Sequence, residues 1–150
     1  MMDVYSVLKE DHQEAKDLLE ELEQTSNKAM DARERLLAEL KNALETHMFL
    51  EETTFYSALR DSSDTSQLAL KAFEEHQIIR KLVRELADDF LTEDIWGAKL
   101  KVVKENIENH FAQEEEIIFE MAQNVITDDR AEELGASVAT KKAEASASRP

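Results

Sequence analysis

Two segments of the chain pair a histidine with a glutamate one helical turn later: His47 with Glu51 in ETHMFLEE, and His110 with Glu114 in ENHFAQEE. Residues four apart share one face of a helix, so each pair aims an imidazole and a carboxylate at the same region. Neutral imidazole and ionised carboxylate are ligands for divalent metal ions. The other two histidines, His12 in EDHQ and His76 in EEHQ, lie on apolar stripes of their own. A single histidine on an apolar face is ordinarily a hydrogen-bonded core residue. A buried ionised carboxylate is costly unless a cation or hydrogen bonds compensate it. All four histidines follow the pattern, and they do so in two copies, which favours a shared purpose. Four imidazoles and two carboxylates exceed what one tetrahedral zinc takes. They suit two octahedral-leaning ions with the carboxylates shared, iron or manganese ahead of copper, with zinc also compatible.

The elements that must position these residues follow from apolar spacing at steps of three and four, the helical period. One stripe runs Val4, Leu8, His12, Ala15, Leu19, Leu22; a second runs Leu36, Leu40, Ala43, His47, Glu51, Thr54, Ala58. A third runs Leu68, Ala72, His76, Ile79, Val83, Leu86, Phe90, and a fourth runs Trp96, Leu100, Val103, Ile107, His110, Glu114, Ile117, Met121, Val125. Polar breaks at 24–31, 60–66 and 91–94 separate them, with Asp3, Asp31, Asp64 and Thr92 placed to cap the following helix. Short connections make consecutive helices antiparallel neighbours. The fold class expected is all-α, an up-down-up-down four-helix bundle over residues 1–134. Residues 135–150, small, polar and Ala/Ser-rich, read as a disordered tail, after a short helix over 128–134.

The halves repeat: EDHQ matches EEHQ, and ETHMFLEE matches ENHFAQEE, with the histidines of each half 35 and 34 residues apart. Counting depth from the common end of the bundle at 1.5 Å per residue puts His12, His47, Glu51, His76, His110 and Glu114 in one slab. That slab lies roughly 13 to 21 Å from the end. The six side chains can therefore meet.

Composition narrows the alternatives. The chain has no cysteine, which removes disulfides and thiolate ligands. A formal charge of −16 repels nucleic acid and anionic membrane. No apolar run is long enough to span a bilayer, and the acidic, amphipathic N-terminus is unlike a signal peptide, so a cytoplasmic location is expected. Metal-free acid/base catalysis by the carboxylates would need an open cleft that a closed bundle of this size lacks.

His12, His47-x-x-x-Glu51, His76 and His110-x-x-x-Glu114 together resemble the hemerythrin family, specifically its HHE cation-binding domains, across residues 3 to about 126. The resemblance implies two non-haem iron ions bridged by Glu51, Glu114 and an oxo or hydroxo ligand. It also implies a small-molecule partner, either dioxygen, nitric oxide or peroxide, in sensing, oxidative-stress response or iron homeostasis. The ferritin-like signature Glu-x-x-His is absent, since Lys9, Leu44, Phe73 and Ile107 precede the four histidines by three residues. Two departures stand out. Oxygen-carrying hemerythrins have a further histidine one turn after the third-helix ligand, where this chain has Arg80, a side chain with donors only. They also take the last bridging carboxylate five residues after the histidine, which would select Glu115; helical phase selects Glu114. Glu52 and Glu116 read as surface charges. Tyr5, two turns before His12, either reaches in with its hydroxyl or packs as an aromatic near the bundle end. Phe73, Ile79, Phe111 and Met48 read as apolar walls.

Two other functions remain at this stage. One is a di-iron enzyme with peroxidase, catalase-like or oxidase activity; the other is a metal-free acidic helical interaction module. A protein partner would have to read any signal.

Overall fold

A computed structural model of the chain describes residues 2–147. All regular structure among them is helical: α1 (Val4–Glu23), α2 (Met30–Leu50), α3 (Tyr56–Leu59), α4 (Ser66–Glu85), α5 (Glu93–Gln113), α6 (Phe119–Ala122) and α7 (Asp128–Ala147). α2 runs into α3 through a single π turn, Glu51–Phe55, and α5 runs into α6 through another, Glu114–Ile118. The result is four antiparallel rods: α1, α2 with α3, α4, and α5 with α6. α1 packs on α2 and α4 on α5, while α7 lies across α1 and α2 as a fifth helix.

Two of the four expected caps form. The Asp3 carboxylate accepts from the Ser6 N–H at 2.9 Å, and the Thr92 hydroxyl accepts from the Ile95 N–H at 3.4 Å. Asp31 instead lies inside the first turn of α2, and Thr65 rather than Asp64 precedes α4. α4 also stops at Glu85. The turn that follows leaves Phe90 95 % exposed, so its place on the third apolar stripe does not hold.

The largest departure from the sequence reading is at the C-terminus. Residues 135–147 are not a disordered tail but continue α7. Ala131, Leu134 and Val138 are buried in the core beside Val4, Leu8 and Phe55. Gly135 is the closest point: a Cβ there would lie 2.5 Å from the Met2 carbonyl oxygen. This helix is hard to read from sequence because its buried face has only Leu134 and Val138 as sizeable apolar residues, with close backbone approach at Gly135. Residues 148–150 of the expected tail lie outside the described residues.

The apolar core forms two clusters. One, with Val4, Leu8, Phe55, Leu59, Phe119 and Ala122, fills one end of the bundle. The other, with Leu19, Leu40, Met48, Ile79, Trp96, Ile107 and Phe111, fills the other end. At that end buried Arg33 stacks 3.6 Å over Trp96 and makes a bidentate pair with Glu93, both contacts at 2.8 Å. Between the two clusters lies a polar layer.

Candidate metal centre

The polar layer holds His12, His47, Glu51, His76, His110 and Glu114, all of them buried. Their donor atoms form two groups, His12–His47–Glu51–Glu114 and Glu51–His76–His110–Glu114, each with its atoms within 4.8 Å of one another. Both glutamates belong to both groups. Nε2 of His12 lies 3.1 Å from Glu114 Oε1, and Nε2 of His76 lies 3.0 Å from Glu51 Oε1. Nε2 of His47 and of His110 stand 3.5 and 3.6 Å from Glu51 and Glu114. Every imidazole thus turns Nε2 inward.

The outward nitrogens are held in a matching way. Nδ1 of His12 meets Glu115 at 2.8 Å and that of His76 meets Glu52 at 2.6 Å. Nδ1 of His47 meets Asp11 at 3.0 Å and that of His110 meets Glu75 at 3.1 Å. A carboxylate on Nδ1 fixes the tautomer with the proton outside and the Nε2 lone pair inside, the form a metal ligand needs. Glu114 therefore faces the centre and Glu115 lies outside it. Glu52 is no free surface charge; Arg80 holds it at 3.0 Å and reaches Glu45 at 3.3 Å. The repeat carries these partners in its own letters. An acid precedes His12 and His76, and a second acid follows Glu51 and Glu114.

The electrostatics show what the layer lacks. Burial, and then the charge of Glu114, push the Glu51 carboxyl well above its ordinary range. Burial likewise drives His47 down, and His76 down to about 4. Burial would also raise Glu52 and Asp11, but His76 together with Arg80 outweighs it at Glu52, and His47 together with Lys142 at Asp11, so both carboxyls are held low. His12 Nε2, His47 Nε2, Glu51 Oε2 and Glu114 Oε1 are buried without a hydrogen-bond partner among the described residues. Such orphaned acceptors are rare in folded proteins, and here they converge on one another. This donor set fits a divalent cation, which would satisfy the orphans and let both glutamates ionise.

Sequence reasoning missed Tyr56. Its hydroxyl hydrogen-bonds with Glu51 Oε1 at 2.9 Å and with Glu114, and stands 3.3 and 3.5 Å from Nε2 of His76 and His110. The π turn is the cause. The Tyr56 N–H reaches back five residues to the Glu51 carbonyl, and Phe119 does the same to Glu114. One extra residue per turn shifts the register of everything after it. Leu59 is accordingly fully buried, while Ala58, assigned to the stripe by a regular period, is only partly so. In the other rod Ile118, Phe119 and Ala122 are buried while Ile117 and Met121 are exposed. Phe111 stacks 3.9 Å over His12, and Met48 and Ile79 line the apolar cluster as expected, whereas Phe73 is exposed. Tyr5 does not enter the centre; it packs at 5.9 and 5.2 Å against Phe55 and Phe119.

The sequence matches the Hemerythrin HHE cation binding domain family over residues 3–122. The chain belongs to this family. Among solved structures it is similar to a hemerythrin HHE cation binding domain-containing protein from Mycobacterium kansasii. That match has 27% identity and a TM-score of 0.85, and it covers 97% of this chain and 88% of that one. Among curated proteins nothing matches the chain. The Mycobacterium kansasii structure aligns with nearly the whole HHE chain. No helix of this HHE domain, among the described residues, is long and apolar enough to cross a membrane.

Proposed function

We propose that this HHE domain holds two non-haem iron ions, one at His12 and His47 and one at His76 and His110, with Glu51 and Glu114 shared. In this reading the loaded centre binds or reacts with dioxygen, nitric oxide or peroxide. The observation that carries the reading is the set of four buried acceptors without partners, two on imidazoles and two on carboxylates. Bound iron supplies redox chemistry and open coordination positions for a small ligand.

The chain's own residues do the rest. Asp11, Glu115, Glu52 and Glu75 keep the Nδ1 protons in place and orient the four rings. Phe111 and the two apolar clusters exclude bulk water from the layer. The Tyr56 hydroxyl holds a proton beside Glu51 and Glu114. Its pKa is pushed well up by burial and then by Glu114 and Glu51, so the proton stays on the oxygen. Arg80 is engaged by Glu45 and Glu52 and offers no lone pair. Each ion then has four protein donors, counting the shared carboxylates. That favours sensing, oxidative-stress response or iron-linked regulation over reversible oxygen carriage.

The test is to titrate the iron-loaded protein with dioxygen, nitric oxide and hydrogen peroxide in turn while recording its optical spectrum. A saturable spectral change supports the reading. Repeated turnover of peroxide would assign it to a catalase-like or peroxidase enzyme. No response to nitric oxide, peroxide or dioxygen would overturn it.

A further inference from the structure

The two halves of the centre are related residue by residue, with Asp11 answering Glu75, His12 answering His76, and His47 answering His110. α7 breaks this symmetry, because it covers α1 and α2 and has no copy over α4 and α5 among the described residues. From α7, Lys142 ion-pairs with Asp11 and lies 3.5 Å from Glu14. Asp11 in turn holds Nδ1 of His47 at 3.0 Å. Its counterpart Glu75 holds His110 with a side chain 28% exposed, against 5% for Asp11. Beyond Lys142 lies a cleft of about 330 Å³ between α1, α2 and α7, bordered by Asp11, Glu14, Thr46, His47 and Ser146. Lys142 therefore lines this cleft beside the Asp11 carboxylate that orients His47 from outside.

We propose that Lys142 is a positioning residue. Acting through Asp11 on His47, it slows release of the ion at His12 and His47 and leaves untouched the ion at His76 and His110, on whose side Arg80 holds Glu52 at 3.0 Å. The inference rests on the two-iron reading above. The physical basis is that a carboxylate clamped on both oxygens holds its histidine more firmly than one open to water on one side. Groups that orient a ligand histidine from outside are worth about 10- to 100-fold in metal affinity. α7 is thus a strap on one half of the centre.

The experiment uses the full chain loaded with iron and follows ferrous iron release to a chromogenic chelator. Lys142→Met should accelerate release of one of the two irons by about 10-fold and leave the other unchanged, and Lys142→Arg should restore the wild-type rate. If Lys142→Met loses helix content by circular dichroism, Asp11→Asn serves instead and should likewise accelerate release of one iron only. Equal acceleration of both irons, no acceleration of either, or no rescue by arginine would overturn the proposal. A protein that takes up no iron at all would instead overturn the two-iron reading.

Discussion

Tyr56 Oη lies 2.9 Å from Glu51 Oε1, a residue five positions earlier in the same rod. In a regular α-helix, positions five apart point in different directions, and only the π turn between them lets the hydroxyl reach the carboxylate. The side chain is thereby a donor placed between two buried acceptors that would otherwise have none on that side.

Tyr56→Phe should therefore destabilise the metal-free protein by about 1–3 kcal/mol, the cost of leaving a buried acceptor without its donor. For a chain of this size each kcal/mol lowers Tm by about 2–4 °C. Calorimetry of the metal-free variant checks this, and an unchanged Tm would mean that the hydroxyl contributes nothing there.

Glu51→Gln should act in opposite senses on stability and on metal uptake. Glu51 is fully buried and its carboxyl is pushed up by burial and by Glu114, so the metal-free protein carries the cost of a misplaced acid. An amide keeps an acceptor for Tyr56 and removes that cost. The metal-free variant should melt higher than wild type and hold little or no iron. A lower Tm together with retained iron would contradict the account.

The histidines give a pH dependence whose sign is fixed. His76 in the folded protein takes a proton only near pH 4, against 6.5 for its ordinary value. Between those values the unfolded chain binds more protons, so stability falls as pH is lowered from 6.5 towards 4. The contribution is at most about 3 kcal/mol. His47 is shifted in the same direction by burial. Glu51 opposes them, since a raised carboxyl contributes stability below 4.5 that is lost as pH rises through its folded value. Denaturant unfolding of metal-free Glu51→Gln removes the opposing group; the carboxyls held low, Asp11, Glu52, Glu75 and Glu114, add to the fall only towards the acid end of this range. Stability that is flat or rising from pH 6.5 down to 4 would contradict this sign.

Gly135→Ala tests the fifth helix. The added methyl would meet the Met2 carbonyl oxygen at 2.5 Å and the Asp3 carbonyl carbon at 2.6 Å, both backbone atoms that cannot step aside cheaply. Overpacking of this kind costs about 1–3 kcal/mol. Hydrogen exchange should show loss of protection in α7 before the rest of the bundle.

What the sequence discloses and what it hides have separable causes. The four rods and the convergence of His12, His47, Glu51, His76, His110 and Glu114 are legible because apolar period and depth are both counted along regular helices. Tyr56, and the burial of Ile118 and Phe119 in place of Ile117, are not, since a π turn adds a residue that a 3.6 period cannot anticipate. α7 is hidden for another reason: of its buried residues Ala131, Leu134, Gly135 and Val138, only Leu134 and Val138 are sizeable apolar side chains, too few to register as an apolar stripe. The Nδ1 partners lay in the repeat itself, as acids adjacent to the ligand candidates. Read one copy at a time they look like surface charge.

The central claim is that two metal ions share Glu51 and Glu114, each held also by a histidine pair. The most direct measurement is metal content per chain after loading with ferrous iron and removal of excess, in wild type and in Glu114→Ala. The account predicts about two irons per wild-type chain and a loss of both, not one, in the variant, because the carboxylate serves both positions. No bound iron in wild type, or a variant that keeps one full equivalent, would contradict it.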